Sequence, residues 1–106
     1  MDVNSPPSIS NLVLTQGPST SKQLIILVMT FNFVDYGGNV ASATVWWSGA
    51  EPTKYLLPGM SGKTSGSITI DIGLPAGIAG LKPSVLITDI YGRQSNTLSG
   101  VFAVIQ

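Results

Sequence analysis

An all-β, antiparallel fold is predicted by three features of this 106-residue chain. No hydrophobic period of helical spacing lasts longer than a turn, while β-branched and aromatic residues recur in short runs. Glycine, proline and serine separate those runs at strand-length intervals. The length suits one domain, which buries roughly two-thirds of its unfolded surface and so holds a core without staples.

Asn4 to Pro7 is polar and proline-rich, which favours an extended conformation, so residues 1–7 read as a linker and 8–106 as the domain. The first strand is expected over Ser8 to Thr15. Gln23 to Val34 is the longest and most apolar, with Ile25, Leu27, Met29, Phe31 and Phe33 as its inner set. Val40 to Ser48 follows, placing Ala43, Val45 and Trp47 on one face and Ser42, Thr44 and Trp46 on the other, because neighbouring strand side chains point oppositely. Thr53 to Leu57, bounded by Pro52 and Pro58, suits a short edge strand.

Ser67 to Ile72 alternates isoleucine with polar residues, the cleanest half-buried pattern in the chain. Gly73 to Pro83 is too long for a hairpin and too apolar for a solvated loop. It is expected to cross between sheets with one 3₁₀ turn, Leu81 plugging the core end. Ser84 to Asp89 and Thr97 to Ile105 complete the set, with Leu98, Phe102 and Val104 inward on the last. The expected core is Leu14, Leu27, Met29, Phe31, Phe33, Val45, Trp47, Ile68, Ile70, Ile87, Leu98, Phe102 and Val104.

Six or seven strands at such spacing, with hairpins and crossovers mixed, describe an immunoglobulin-like antiparallel β-sandwich of about seven strands. That topology brings the connection after the second strand and the one before the last to the same end. These connections are Val34-Asp35-Tyr36-Gly37-Gly38-Asn39 and its echo Thr88-Asp89-Ile90-Tyr91-Gly92-Arg93-Gln94-Ser95-Asn96.

Composition narrows function by exclusion. Only 9% of residues are charged, against about 25% in average soluble domains, so serine, threonine, asparagine and glycine must solvate the surface. Such surfaces suit exported modules. Five basic and five acidic residues give no net charge and no cationic run, which argues against nucleic acid and anionic membranes. The longest apolar run, Leu24 to Met29, is far short of the ~20 residues of a membrane span, and the first residues lack the pattern of a secretory signal. Cysteine and histidine are both absent, which removes disulfides, thiolate chemistry, zinc hydrolysis and Ser-His-Asp catalysis.

The segment Phe31-Asn32-Phe33-Val34-Asp35-Tyr36-Gly37-Gly38-Asn39-Val40-Ala41-Ser42-Ala43-Thr44-Val45 resembles a pattern of bacterial immunoglobulin-like and cadherin-like modules, an aromatic strand running into Asp-x-x-Gly-(Asp/Asn)-Val and then a polar/apolar strand. Ile87 to Phe102 resembles the final hairpin of the same superfamily. Together they cover about a third of the chain. The resemblance implies an exported or surface-displayed module, often one of several in a long polypeptide, acting as spacer, adhesin part or binding domain.

Three sites are candidates. A calcium site would draw oxygens from Asp35, Asn39, Asp89 and Asn96, since calcium takes six to eight oxygen ligands from carboxylates and carbonyls. The competing reading is that Asp35 and Asp89 close their own turns, Gly37, Gly38 and Gly92 supply positive φ, and Asn96 pins the start of the last strand. A carbohydrate or protein ligand would stack on exposed aromatics, Trp46 with Tyr55 or Tyr36 with Tyr91. Catalysis has only Ser61-Gly62-Lys63 and the pair Asp71 and Asp89 to draw on, and neither has the burial or cleft it needs.

The expectation is a non-catalytic structural or adhesive module of a larger exported or cell-surface protein, partnered by neighbouring domains of the same polypeptide. Its alternatives are a carbohydrate- or ligand-binding accessory module and a weak calcium site. No cofactor is otherwise expected.

Overall fold

A computed structural model of the chain describes residues 5–18, 24–48, 51–75, 77 and 80–104. Among them are nine β-strands and no helix: β1 Ser8–Gly17, β2 Leu24–Val34, β3 Val40–Trp46, β4 Thr53–Leu56, β5 Ser65–Pro75, β6 Gly80–Leu81, β7 Ser84–Asp89, β8 Leu98–Ser99 and β9 Phe102–Ala103. They form an antiparallel three-stranded sheet β1-β2-β5, a four-stranded sheet β4-β3-β7-β8 and a small pair β6-β9. Residues of all three share one hydrophobic core, so the arrangement is that of a β-sandwich.

The β2/β5 pair carries most of that core because both strands alternate cleanly. In register, Ile25 lies opposite Leu74, Leu27 opposite Ile72, Met29 opposite Ile70 and Phe31 opposite Ile68, all buried. Each such side chain contributes about 1.5–3 kcal/mol of burial free energy. A slip of one residue would turn the whole set to solvent, which fixes the register. From the other sheet, Ala43 opposite Ile87 and Val45 opposite Val85 close the core.

Several boundaries differ from expectation for local physical reasons. The first strand extends to Gly17 and carries a bulge between Ser10 and Val13. Asn11 sits there at φ 57, a left-handed conformation that asparagine tolerates. The extra residue changes the inward parity, so Ile9 faces the core before it and Leu12 and Leu14 pack on the core after it. Leu14 is therefore half-buried at the core margin, as are Trp47, Leu98 and Val104. Ile9, Val40, Ile72, Leu74 and Val85 take fully buried places instead.

The third strand ends at Trp46, and the expected crossover begins later, because Gly73, Leu74 and Pro75 continue the β5 alternation with Leu74 inward. No 3₁₀ turn occurs among the described residues; positions 76, 78 and 79, like Gln23 and Ile105, lie outside them. Leu81 does pack on the core, opposite Phe102. The expected single last strand is split: β8 pairs with β7 and β9 with β6. Gly100 makes the break, its N–H donating to the Pro83 carbonyl at 3.1 Å. Leu14 crowds its α-carbon so closely that an added Cβ would lie 2.8 Å from the Leu14 Cδ1. Of the expected linker, Pro7 is already buried.

Candidate functional site

Three connections meet at one end of the sandwich: residues 35–39, 57–64 and 90–97. Hydrogen bonds tie them together. Asp35 N donates to Thr64 O at 2.7 Å, Gly62 N to Gly38 O at 2.8 Å and Ile90 N to Asn39 O at 3.0 Å. Gly38 is needed twice over, for its φ of 61 and because an added Cβ would stand 3.1 Å from the Gly62 backbone.

The two Asp-x-x-Gly stretches fold alike. Asp35 O accepts Gly38 N at 2.9 Å, and Asp35 Oδ2 accepts Asn39 N at 2.9 Å. Asp89 O accepts Gly92 N at 3.0 Å, and Asp89 Oδ1 accepts Arg93 N and Tyr91 N, each at 2.9 Å. In both, the aspartate closes its own turn and a glycine at +3 takes the positive φ, 61 at Gly38 and 85 at Gly92. Gly37, expected to share that role, does not have positive φ.

The second carboxylate oxygens part company. Asp89 Oδ2 takes Arg93 Nε at 2.7 Å. Burial pushes this carboxyl upward, but the Arg93 amide and guanidinium and the Tyr91 amide outweigh it and hold Asp89 below the ordinary carboxylate value. Asp35 is wholly buried, and its Oδ1 has no hydrogen-bond partner among the described residues; neither has the buried Asn39 Oδ1.

Asn96 is committed elsewhere. Its Oδ1 accepts Ile9 N and its Nδ2 donates to Ile9 O, both at 2.9 Å, as a strand backbone would. It pins the first strand, not the last. Ser95 holds the preceding bend, its Oγ accepting Ile87 N at 2.9 Å and its N–H donating to Ile87 O at 2.9 Å.

Of the four oxygen-bearing residues expected around calcium, the turns therefore leave two oxygens open, Asp35 Oδ1 and Asn39 Oδ1. Asp89 and Asn96 already spend theirs on Arg93, Tyr91 and Ile9. No group of three or more acidic, histidine or cysteine side chains comes together among the described residues. The donor set is thus far from the six to eight oxygens of a calcium shell.

The aromatics divide differently from expectation. Trp46 is half-buried on the outer face of the four-stranded sheet, beside Thr44 and opposite Ser84. Tyr55 lies opposite Ala43 on the inner face and packs on the core, where burial raises its hydroxyl pKa. The two rings stand on opposite faces, because cross-strand partners share a face and adjacent residues do not. Tyr36 and Tyr91 do share the loop end, 42% and 72% exposed, with Ile90 at 63% between them in sequence order. The Arg93 guanidinium lies 5.3 Å from the Tyr91 ring centroid. Sequence reasoning missed this arginine, though its place four residues after an Asp-x-x-Gly aspartate was the signal.

Asp71 stands exposed on the outer face of β5, whereas Asp89 is buried at the end of β7 in the other sheet. They do not face each other. Ser61 and Lys63 are exposed, and the described residues enclose no pocket. No family model, curated protein or solved structure matches the chain.

Proposed function

We propose that this chain is a non-catalytic, immunoglobulin-like module of a larger exported or cell-surface protein, acting as a spacer or adhesive presenting domain. The strand order β1-β2-β5 against β4-β3-β7-β8 supports the immunoglobulin-like assignment, the fourth strand having joined the sheet of the third. The observation that carries the role is at the loop end. Asp89 and Asn96 spend their side-chain oxygens, and Asp35 one of its two, on closing backbone turns and clipping strands, which serves rigidity.

The test uses intact cells of the source organism, probed with an antibody to this chain before and after protease shaving. Surface signal that shaving removes is expected. Signal that appears only after lysis would sink the reading.

A second reading, ligand binding at the loop end, is favoured by the exposed Tyr36, Ile90 and Tyr91. Its ligand would be a carbohydrate or a protein surface, bound by ring stacking. Glycan-array screening of the chain and of Tyr91→Ala tests it, with binding lost in the variant as the supporting result and no binding by either as the opposing one.

A further inference from the structure

The sheet edges of this molecule are guarded unequally. β1 carries its bulge and left-handed Asn11, with Pro7 before it and Pro18 after it. β4 has four residues, one of them Lys54, between Pro52 and Pro58. β8 has two residues and stops at Gly100. Short length, bulges, lysine and proline are the usual defences of an unpaired edge.

β5 has none of them before its last residue. It runs eleven residues, pairs with β2 throughout without a register shift, and reaches its first proline only at Pro75, its last residue. β2 is its one strand partner among the described residues. Its opposite edge therefore presents a long row of backbone donors and acceptors. Its outward side chains are Ser65, Ser67, Thr69 and Asp71, ending at Gly73, and Asp71 is its only charge.

We propose that a second copy of this chain pairs with this edge, β5 against β5, antiparallel about a two-fold axis at Thr69. The outward residues choose that partner and register. With the axis at Thr69, each Asp71 lies opposite Ser67 of the other copy, whose hydroxyl can donate to the carboxylate. Thr69 meets Thr69, extending the hydroxyl contact that Thr69 Oγ1 already makes with Thr30 Oγ1 at 3.2 Å. Such Thr–Thr and Ser–acid pairs favour strand pairing, and like charges directly opposite oppose it. Moving the axis to Ile70 would bring the two Asp71 carboxylates to the diagonal spacing of about 7–8 Å. At Thr69 they are four residues apart along the strand, about 14 Å. Inside, Ile68 and Ile70 of the two copies lie opposite one another and cover their remaining exposure. The result is a continuous six-stranded sheet, β1-β2-β5 in each copy, with an isologous interface.

Sedimentation equilibrium of the chain from about 10 μM to about 1 mM reads the dimer directly. Ser67→Asp places two carboxylate pairs opposite each other and is expected to weaken dimerisation about tenfold, while Ser67→Lys pairs with Asp71 and is expected to strengthen it about tenfold. Because the chain has no cysteine, Thr69→Cys tests the axis: opposed Cβ atoms about 5 Å apart are near disulfide range. This variant should cross-link to a dimer under mild oxidation, and Asp71→Cys should not. All four substitutions are at exposed positions, and circular dichroism verifies the fold of each. A chain that stays monomeric at about 1 mM, a dimer indifferent to both Ser67 variants, or cross-linking through position 71 and not 69 would overturn the proposal.

Discussion

Asp35 and Asp89 occupy equivalent turns, yet only Asp89 has a cation on its second oxygen. Its folded pKa is lowered, so it stabilises the fold fully above the unfolded carboxylate value of about 3.9 and loses that contribution as pH falls through the lower folded value. Urea unfolding between pH 7 and pH 2 should therefore show an acid-side loss of stability that is shallower in Asp89→Asn. The variant itself should be less stable at pH 7 by about 1–3 kcal/mol. Asp35 and Asn39 bear on calcium instead. A site filled a hundredfold above its dissociation constant would add about 2.7 kcal/mol and several degrees to the melt. Two open oxygens do not make such a site, and millimolar calcium should leave the calorimetric melting temperature within about 1 °C of that in chelator. The turns were legible in sequence, since aspartate with glycine at +3 states both the cap and the positive φ. The target of Asn96 was not, because Ile9 lies 87 positions away and no local pattern encodes that meeting.

Among the elements, β2 and β5 were the easiest to foresee. The alternation of β2 is uninterrupted, and Ile25, Leu27, Met29 and Phe31 each meet a buried residue of β5 across the pair. Phe31 has no exposed surface and lies within this ladder, so Phe31→Ala should cost about 3–5 kcal/mol in chemical denaturation. A loss below 1 kcal/mol would contradict the packing. The last strand was harder, because its break depends on partners distant in sequence: Leu14 crowding Gly100, and the Pro83 carbonyl receiving its N–H. Periodicity continues through Leu98, Phe102 and Val104 whether or not the backbone stays in one sheet. The bulge in β1 escaped for a similar reason, as asparagine within a strand pattern does not announce a left-handed residue. Tyr55 was misplaced beside Trp46 because facing depends on which residue of β3 it opposes, and pairing register is a tertiary fact.

At the scale of the whole molecule, cohesion rests on apolar packing and backbone ladders rather than on charge. The described residues hold a single ion pair, Asp89 with Arg93, whose carboxylate is fully buried and whose guanidinium is 24% exposed. Five cations and five anions in 106 residues leave little long-range electrostatic energy to screen. Raising sodium chloride from about 20 to about 300 mM should thus shift the melting temperature by less than about 2 °C. A larger shift would mean that surface charges contribute more than their arrangement suggests.

The bidentate clip between Asn96 and Ile9 has a mechanical meaning. It fastens the start of β1, in one sheet, to the segment that follows β7 in the other. Ile9 is the second residue of β1, so the clip lies beside the first rungs of the β1/β2 ladder, Ser8 opposite Val34 and Ile9 opposite Phe33. A pulled chain must break two parallel bonds there at once, and simultaneous rupture under load is much slower than unzipping one bond at a time. Separating the two sheets at this end therefore means breaking both bonds of that one asparagine.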